Sequence, residues 1–164
     1  IGQGYTLVTT LQIADFTCAL LNDAELLKPL LVENDTPEFV SELPIPQEHR
    51  DFILEAMRVT VSNGTARRIR RPDAIIGGKT GTAQVVKIGE RRLRKDEMTY
   101  FHRDHAWLVS WGIKDEKTYV VVVMVEHGGG GGATAGPIVA RIYDSLFGPV
   151  QANAVAGTPA NGVR

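Results

Sequence analysis

The chain changes its hydrophobic period near residue 74, and that change decides the class of fold open to it. Before it, apolar residues recur three and four apart. Thr9 and Gln12 have capping-box spacing just ahead of an apolar run. Leu11, Ala14, Cys18 and Leu21 follow at helical intervals, which predicts a helix over 10–21. A second helix fits 47–62, with Phe52, Ile53, Ala56, Met57 and Thr60 on one side. Asn63-Gly64 ends it, because glycine tolerates a left-handed conformation after a last helical turn. Between the helices, Leu26 to Val32, broken by Pro29, reads as a short extended piece. Residues 33–46 hold Pro37, Pro44 and Pro46 among acidic residues and read as a loop.

After the change, Ile75, Ile76, Thr80, Thr82, Val85 and Val86 give a strand composition over 74–86. Residues 87–103 are polar and basic, as a long loop or hairpin extension would be. Two further strands fit 105–111 and 119–125. The unbroken valines of the latter predict burial on both faces. The short gap at Lys114-Asp115-Glu116-Lys117 favours an antiparallel hairpin. Gly128 to Gly132 reads by default as a flexible connector. Pro137, at a first turn, opens a final helix to about Phe147, with Ile138, Ile142, Tyr143 and Leu146 on its apolar side. Residues 148–164 are small and polar and predict a disordered tail. The expected fold is α+β over 1–147: helices, three antiparallel strands and a packing helix.

Composition narrows the function classes. At 164 residues, 43% hydrophobic and 23% charged, the chain can bury one core. A net charge of -1 gives no global attraction to nucleic acid or anionic membrane. No run of apolar residues is long enough to span a bilayer. The start at Ile1-Gly2-Gln3-Gly4 lacks signal-peptide character and an initiator Met, as expected of a processed or excised piece. The single cysteine, Cys18, rules out an internal disulfide and is expected as a buried, inert thiol.

The segment that carries chemistry is Gly77-Gly78-Lys79-Thr80-Gly81-Thr82-Ala83-Gln84-Val85-Val86. Gly78-Lys79-Thr80 matches the end of a phosphate-binding P-loop. That motif needs a glycine five positions earlier, where Asp73 stands, and it runs into a helix rather than a strand. The alternative is serine acyl transfer, whose penicillin-binding sites carry a Lys-Thr-Gly strand. There a strand lysine supplies positive charge for a substrate carboxylate and lowers neighbouring pKa values. Gly81 leaves room for close approach. An adjacent backbone N–H can stabilise an oxyanion. Thr80 and Thr82, two apart, share a face and can bind one carboxylate.

Several ordered matches extend the second reading. Gly2-Gln3-Gly4-Tyr5 with Thr9-Thr10-Leu11-Gln12, then Lys28-Pro29, Met57, Val59 and Asn63-Gly64-Thr65-Ala66 come first. Lys79 to Val86, Asp104-His105-Ala106-Trp107 and Glu126-His127-Gly128-Gly129 follow. Together they resemble class B penicillin-binding proteins of the penicillin-binding protein 2 type, from residue 2 to about 147. The resemblance implies the C-terminal half of a transpeptidase domain that cross-links peptidoglycan stem peptides and is acylated by β-lactams. It implies that Lys79 sets the site's electrostatics and that Thr80, Gly81 and Thr82 bind substrate. Thr82 N–H would be one oxyanion donor. No cofactor or metal is implied. The implied partners are the stem peptide, β-lactams, the N-terminal half of the same domain and a glycosyltransferase of the elongation machinery. The implied location is the periplasmic face of the bacterial inner membrane.

The same pattern also requires Ser-x-x-Lys and Ser-x-Asn. Ser41, Ser62, Ser110 and Ser145 fit neither. In the family both motifs precede the Gly-Gln-Gly stretch, so the chain is expected to be a fragment that neither turns over substrate nor binds penicillin covalently. Lost neighbouring strands are expected to leave an unpaired edge beside the valine-rich strand. A non-catalytic sensor of β-lactam or cell-wall peptide is the alternative. Thr10 stands where the family has proline, and Asn22-Asp23 replaces its Asn-Gly turn. His102, Asp104 and His105 form at most a weak metal pattern, and a structural role is expected for them. The runs 67–71 and 91–95 are rich in arginine without interleaved aromatics, so solvated surfaces are expected, with a rim role near an anionic substrate open to the second.

Overall fold

The computed structural model describes residues 6–32, 35–86 and 97–150. Helix α1 (Thr10–Leu21) starts where Thr9 closes the expected capping box. Gln12 N–H donates to Thr9 Oγ1 at 3.2 Å, and Thr9 N–H donates to Gln12 Oε1 at 2.9 Å. Its buried residues are Thr17, Ala19 and Leu20, not the stripe expected from spacing. Almost every position from Ile13 to Leu21 is apolar or small, so period alone cannot choose a face. Thr17 is accommodated because its hydroxyl donates to Ile13 O at 2.7 Å. Cys18 is exposed rather than buried. Loss of water around its thiol, and then the Asp15 charge, push its pKa up, which suppresses the reactive thiolate.

A small antiparallel ribbon follows, β1 (Glu25–Leu27) with β2 (Phe39–Glu42). Strand β2 lies in the segment expected as loop. Four residues between prolines are too few for alternation to register, and it is the pairing with β1 that makes them a strand. Helix α2 (Gln47–Ser62) has the expected span, but its buried residues are Arg50, Met57 and Val61. Phe52 is 75% exposed. The buried stripe is displaced because Arg50 lays its stem inward while its guanidinium reaches Ile45 O at 3.4 Å and Asp23 at 3.3 Å. Gly64 follows the helix as expected, but it is not among the residues with positive φ. Close approach is its reason, since a Cβ there would stand 2.8 Å from Thr60 O.

Strands β3 (Ile75–Ala83), β4 (His105–Lys114) and β5 (Lys117–Val125) form an antiparallel sheet in that order. Asp115 and Glu116, at φ 50° and 63°, make the two-residue turn of the β4–β5 hairpin. Of the β5 valines only Val121 is fully buried. The others are half-buried, because β5 is a terminal strand of the sheet. Helix α1 lies against β5 and β4.

Helix α3 (Gly131–Phe147) starts six residues before Pro137, which lies inside it rather than in its first turn. The small residues of Gly131-Gly132-Ala133-Thr134-Ala135-Gly136 let its first turns press against the sheet, a tertiary contact that helix propensity does not anticipate. Val61, Ala66, Ile69, Ile76, Leu108, Val121, Ala135, Val139 and Tyr143 form the core joining α2 and α3 to the sheet. Within it, Tyr143 OH donates to Ser110 Oγ at 3.0 Å, which donates to Val121 O at 3.0 Å. Burial raises the Tyr143 pKa, and the Ser110 contact opposes that only in part.

The far end of α3 is fastened by charge. The Arg71 side chain, 4% exposed, is bonded to Asp73 at 2.9 Å, Asp144 at 2.6 Å and Gly148 O at 2.7 Å. Lys114 reaches Asp73 at 2.8 Å and Phe147 O at 2.9 Å. Arg67, Arg68 and Arg70 are exposed as expected, whereas Arg71 departs from the solvated reading. The second basic run, 91–95, and the tail from 151 lie outside the described residues.

Candidate active site

Glycines and β-rich residues make β3 extended through the whole Lys-Thr-Gly segment. It pairs with β4 as Lys79↔Val109, Thr80↔Leu108, Gly81↔Trp107 and Thr82↔Ala106. Side chains alternate along a strand. Thr80 and Thr82 therefore share one face, and Lys79 and Gly81 the other. Leu108 and Ala106, opposite the threonines, are fully buried. Thr80, Gly81 and Thr82 are half-buried and Lys79 is exposed. Lys79 Nζ donates to Thr80 O at 2.7 Å. No helix follows Thr80, and Asp73 is occupied by Arg71 and Lys114, so the P-loop reading fails on geometry.

Two elements that sequence reasoning did not assign to the site meet it. The first is Thr65, just past α2, whose Oγ1 lies 2.7 Å from Thr80 Oγ1. The second is the glycine run, expected as a connector. Gly131 already belongs to α3 and is buried against β3 and β4. A Cβ on it would run into Trp107 O and stand 2.6 Å from Gly81 O. A Cβ on Gly132 would run into Thr65 O. The available signals were Asn63-Gly64-Thr65-Ala66 and the glycine run, but neither says in sequence which strand it will touch.

Beyond the end of β3, His127 N–H donates to His105 Nδ1 at 2.9 Å, and His127 Nδ1 lies 3.1 Å from Arg103 O. The rings of Tyr100 and Phe101 flank His127 at 5.1 and 5.8 Å. Among the described residues, no three His, Cys, Asp or Glu side chains are grouped to hold a metal ion. His105 instead spends a ring nitrogen on the turn leading to Gly128. Gly2-Gln3-Gly4-Tyr5 lies outside the described residues.

Comparison with known proteins supplies the context. The penicillin binding protein transpeptidase domain family matches residues 1–144. The peptidoglycan D,D-transpeptidase MrdA of Haemophilus influenzae is 30% identical over 163 residues, covering 88% of this chain and 24% of that protein. MrdA of Acinetobacter baumannii is 31% identical over 128 residues, covering 71% and 19%. The crystal structure of Pseudomonas aeruginosa PBP2 in complex with WCK 5153 superposes with a TM-score of 0.64 at 28% identity, covering 93% of this chain and 33% of that one. PBP2 of Helicobacter pylori, solved in complex with MreC, gives 0.61 at 31% identity, covering 89% and 26%. The chain spans about a quarter or less of the length of these curated relatives.

Proposed function

This chain belongs to the penicillin binding protein transpeptidase domain family, and on that premise we propose that it forms the Lys-Thr-Gly side of a peptidoglycan D,D-transpeptidase active site. The observation that carries the reading is the extended placement of Lys79, Thr80, Gly81 and Thr82 on the terminal strand β3, with both threonines on one face. A terminal strand leaves a side to which substrate can add.

The nucleophile is a serine on polypeptide other than these residues, because none of the four serines here has Ser-x-x-Lys spacing. Its hydroxyl attacks the penultimate D-Ala carbonyl of a stem peptide. The terminal D-Ala leaves, and the acyl group passes from serine to an amine of a neighbouring stem. A β-lactam stops at the acyl stage because its leaving amine stays tethered. In this scheme Lys79 supplies the positive field. The Thr80 and Thr82 hydroxyls hold the terminal or β-lactam carboxylate. Thr82 N–H donates to the oxyanion together with the N–H of the nucleophile. Gly81 keeps the strand open to close approach. The catalytic roles fall to Lys79 and Thr82, and substrate binding to Thr80, Gly81 and Thr82.

The site belongs at the periplasmic face of the bacterial inner membrane, where the polymer is built, with a glycosyltransferase of the elongation machinery as a partner. The second reading, a module that binds β-lactam or cell-wall peptide without turnover, is favoured by one observation, the lack of any serine motif within these residues.

Labelled penicillin separates the two. The isolated chain is expected to take no covalent label. Joined to a segment carrying Ser-x-x-Lys and Ser-x-Asn, it is expected to be acylated, and Lys79→Ala is expected to slow acylation about 100-fold, the scale for removing one electrostatic contributor. Label on the isolated chain, or an unaffected Lys79→Ala protein, would refute the assignment.

A further inference from the structure

We propose that Thr65 is a positioning residue that holds the Thr80 hydroxyl ready to donate its proton to a substrate carboxylate, an inference that rests on the transpeptidase reading. The two hydroxyl oxygens are 2.7 Å apart, and in the free site either can be the donor. A hydroxyl has one proton and can accept at its lone pairs, whereas an ionised carboxylate only accepts. Once a carboxylate arrives at Thr80, the Thr80 proton must point to it. The Thr65–Thr80 contact then survives only with Thr65 as donor. Thr65 thereby polarises Thr80, occupying one of its lone pairs and leaving its proton for the carboxylate.

Thr65 can do this because its backbone is held from two sides. Ala66 N–H donates back to Thr60 O at 3.2 Å, tying the segment to the end of α2. Gly132 of α3 packs so closely on Thr65 O that no Cβ fits between them, and that absent Cβ would also stand 3.4 Å from Thr80 Cγ2. Helix α2, strand β3 and helix α3 thus converge on one hydroxyl pair. Lys79, on the opposite face of β3, takes no part in it.

The test uses the transpeptidase that contains both this chain and its serine-bearing segment, with benzylpenicillin and its methyl ester as probes. Thr65→Val removes the hydroxyl at nearly constant shape. Half-saturation for acylation by benzylpenicillin is expected to rise about threefold to tenfold, the cost of one ordinary hydrogen bond, with the limiting rate unchanged. The ester, which lacks the carboxylate, should be unaffected. Thr65→Ser should retain normal behaviour. No change with benzylpenicillin, or an equal loss with both probes, or a Thr65→Ser protein as impaired as Thr65→Val, would overturn the proposal. An unaltered protein that takes no label from benzylpenicillin would instead refute the transpeptidase reading, and the role of Thr65 with it.

Discussion

In the three-stranded sheet Ile76 is 6% exposed and Leu108 fully buried, whereas in the β1–β2 ribbon Phe39 and Val40 are 59% and 54% exposed. Both regions are antiparallel and both carry large apolar side chains. They differ in what lies against them. The sheet is covered by α2 and α3, with the close glycine approach of α3 at its site end and the Arg71 cluster at the other. Among the described residues, the ribbon has only α1 beside β1, and is otherwise held by its own backbone bonds, by Leu43 N–H to Ala24 O at 2.8 Å, and by an exposed Lys28–Glu38 ion pair at 2.9 Å. Such a pair contributes little in water. Apolar character alone therefore does not decide burial, and the candidate active site sits in the region where neighbouring backbones leave no slack.

The contrast can be tested by substitution, and the largest effect is expected at the glycine contact. Gly131→Ala would drive a methyl group into the Trp107 and Gly81 carbonyls, and neither backbone can rotate away as a side chain could. A loss of roughly 3 kcal/mol or more is expected, at the upper end for overpacking, read as a fall in the denaturation midpoint. An unchanged midpoint would mean that α3 is not seated on β3 as described.

The charged fastening comes next. Arg71→Met leaves Asp73 with only Lys114 and leaves Asp144, half-exposed, to water. About 2 kcal/mol of destabilisation is expected, less than for a fully buried pair, because part of the uncovered charge can hydrate. The same cluster predicts an acid limb. The hydrogen bond from Arg71, opposed by burial and aided by Lys114, lowers the Asp73 pKa from 3.8 to about 2. A carboxylate whose folded pKa is depressed contributes stability above its unfolded pKa and loses it as pH falls through the folded one. Melting temperature should therefore drop between about pH 4 and pH 2, and Asp73→Asn should flatten that portion of the curve. An Asp73→Asn protein with an identical acid limb would remove Asp73 from the account.

The smallest effect is expected in the ribbon. Phe39→Ser removes an exposed ring and should change stability by no more than about 0.5 kcal/mol, measured by the same denaturation. A loss comparable to that of Arg71→Met would show that the ribbon is packed as tightly as the sheet.

The sequence made much of this legible. The capping box at Thr9, the ends of α2, the three strands and the tight turn at Asp115-Glu116 all have local chemical signatures. Lys79 to Thr82 could be read as an extended site segment because strand composition, close glycines and a lysine coincide within a few residues. Less legible were the buried faces of α1 and α2, the strand β2, the early start of α3 and the burial of Arg71. Each depends on a partner far away in the chain. Arg71 reads as one more arginine in a basic run until Asp73, Asp144 and Gly148 enclose it.

By itself, then, the amino-acid order determined most of the segments that coil and extend, β2 and the first turns of α3 excepted, and singled out the four residues proposed for acyl transfer, because capping, period and turn chemistry act within a few residues. Only the tertiary structure decided which helix face is buried, that Thr65 meets Thr80, and that Gly131 and Gly132 close on the Lys-Thr-Gly strand. Those outcomes turn on steric fit and hydrogen bonding between groups far apart in the chain, and no local preference specifies which distant surface a side chain will find.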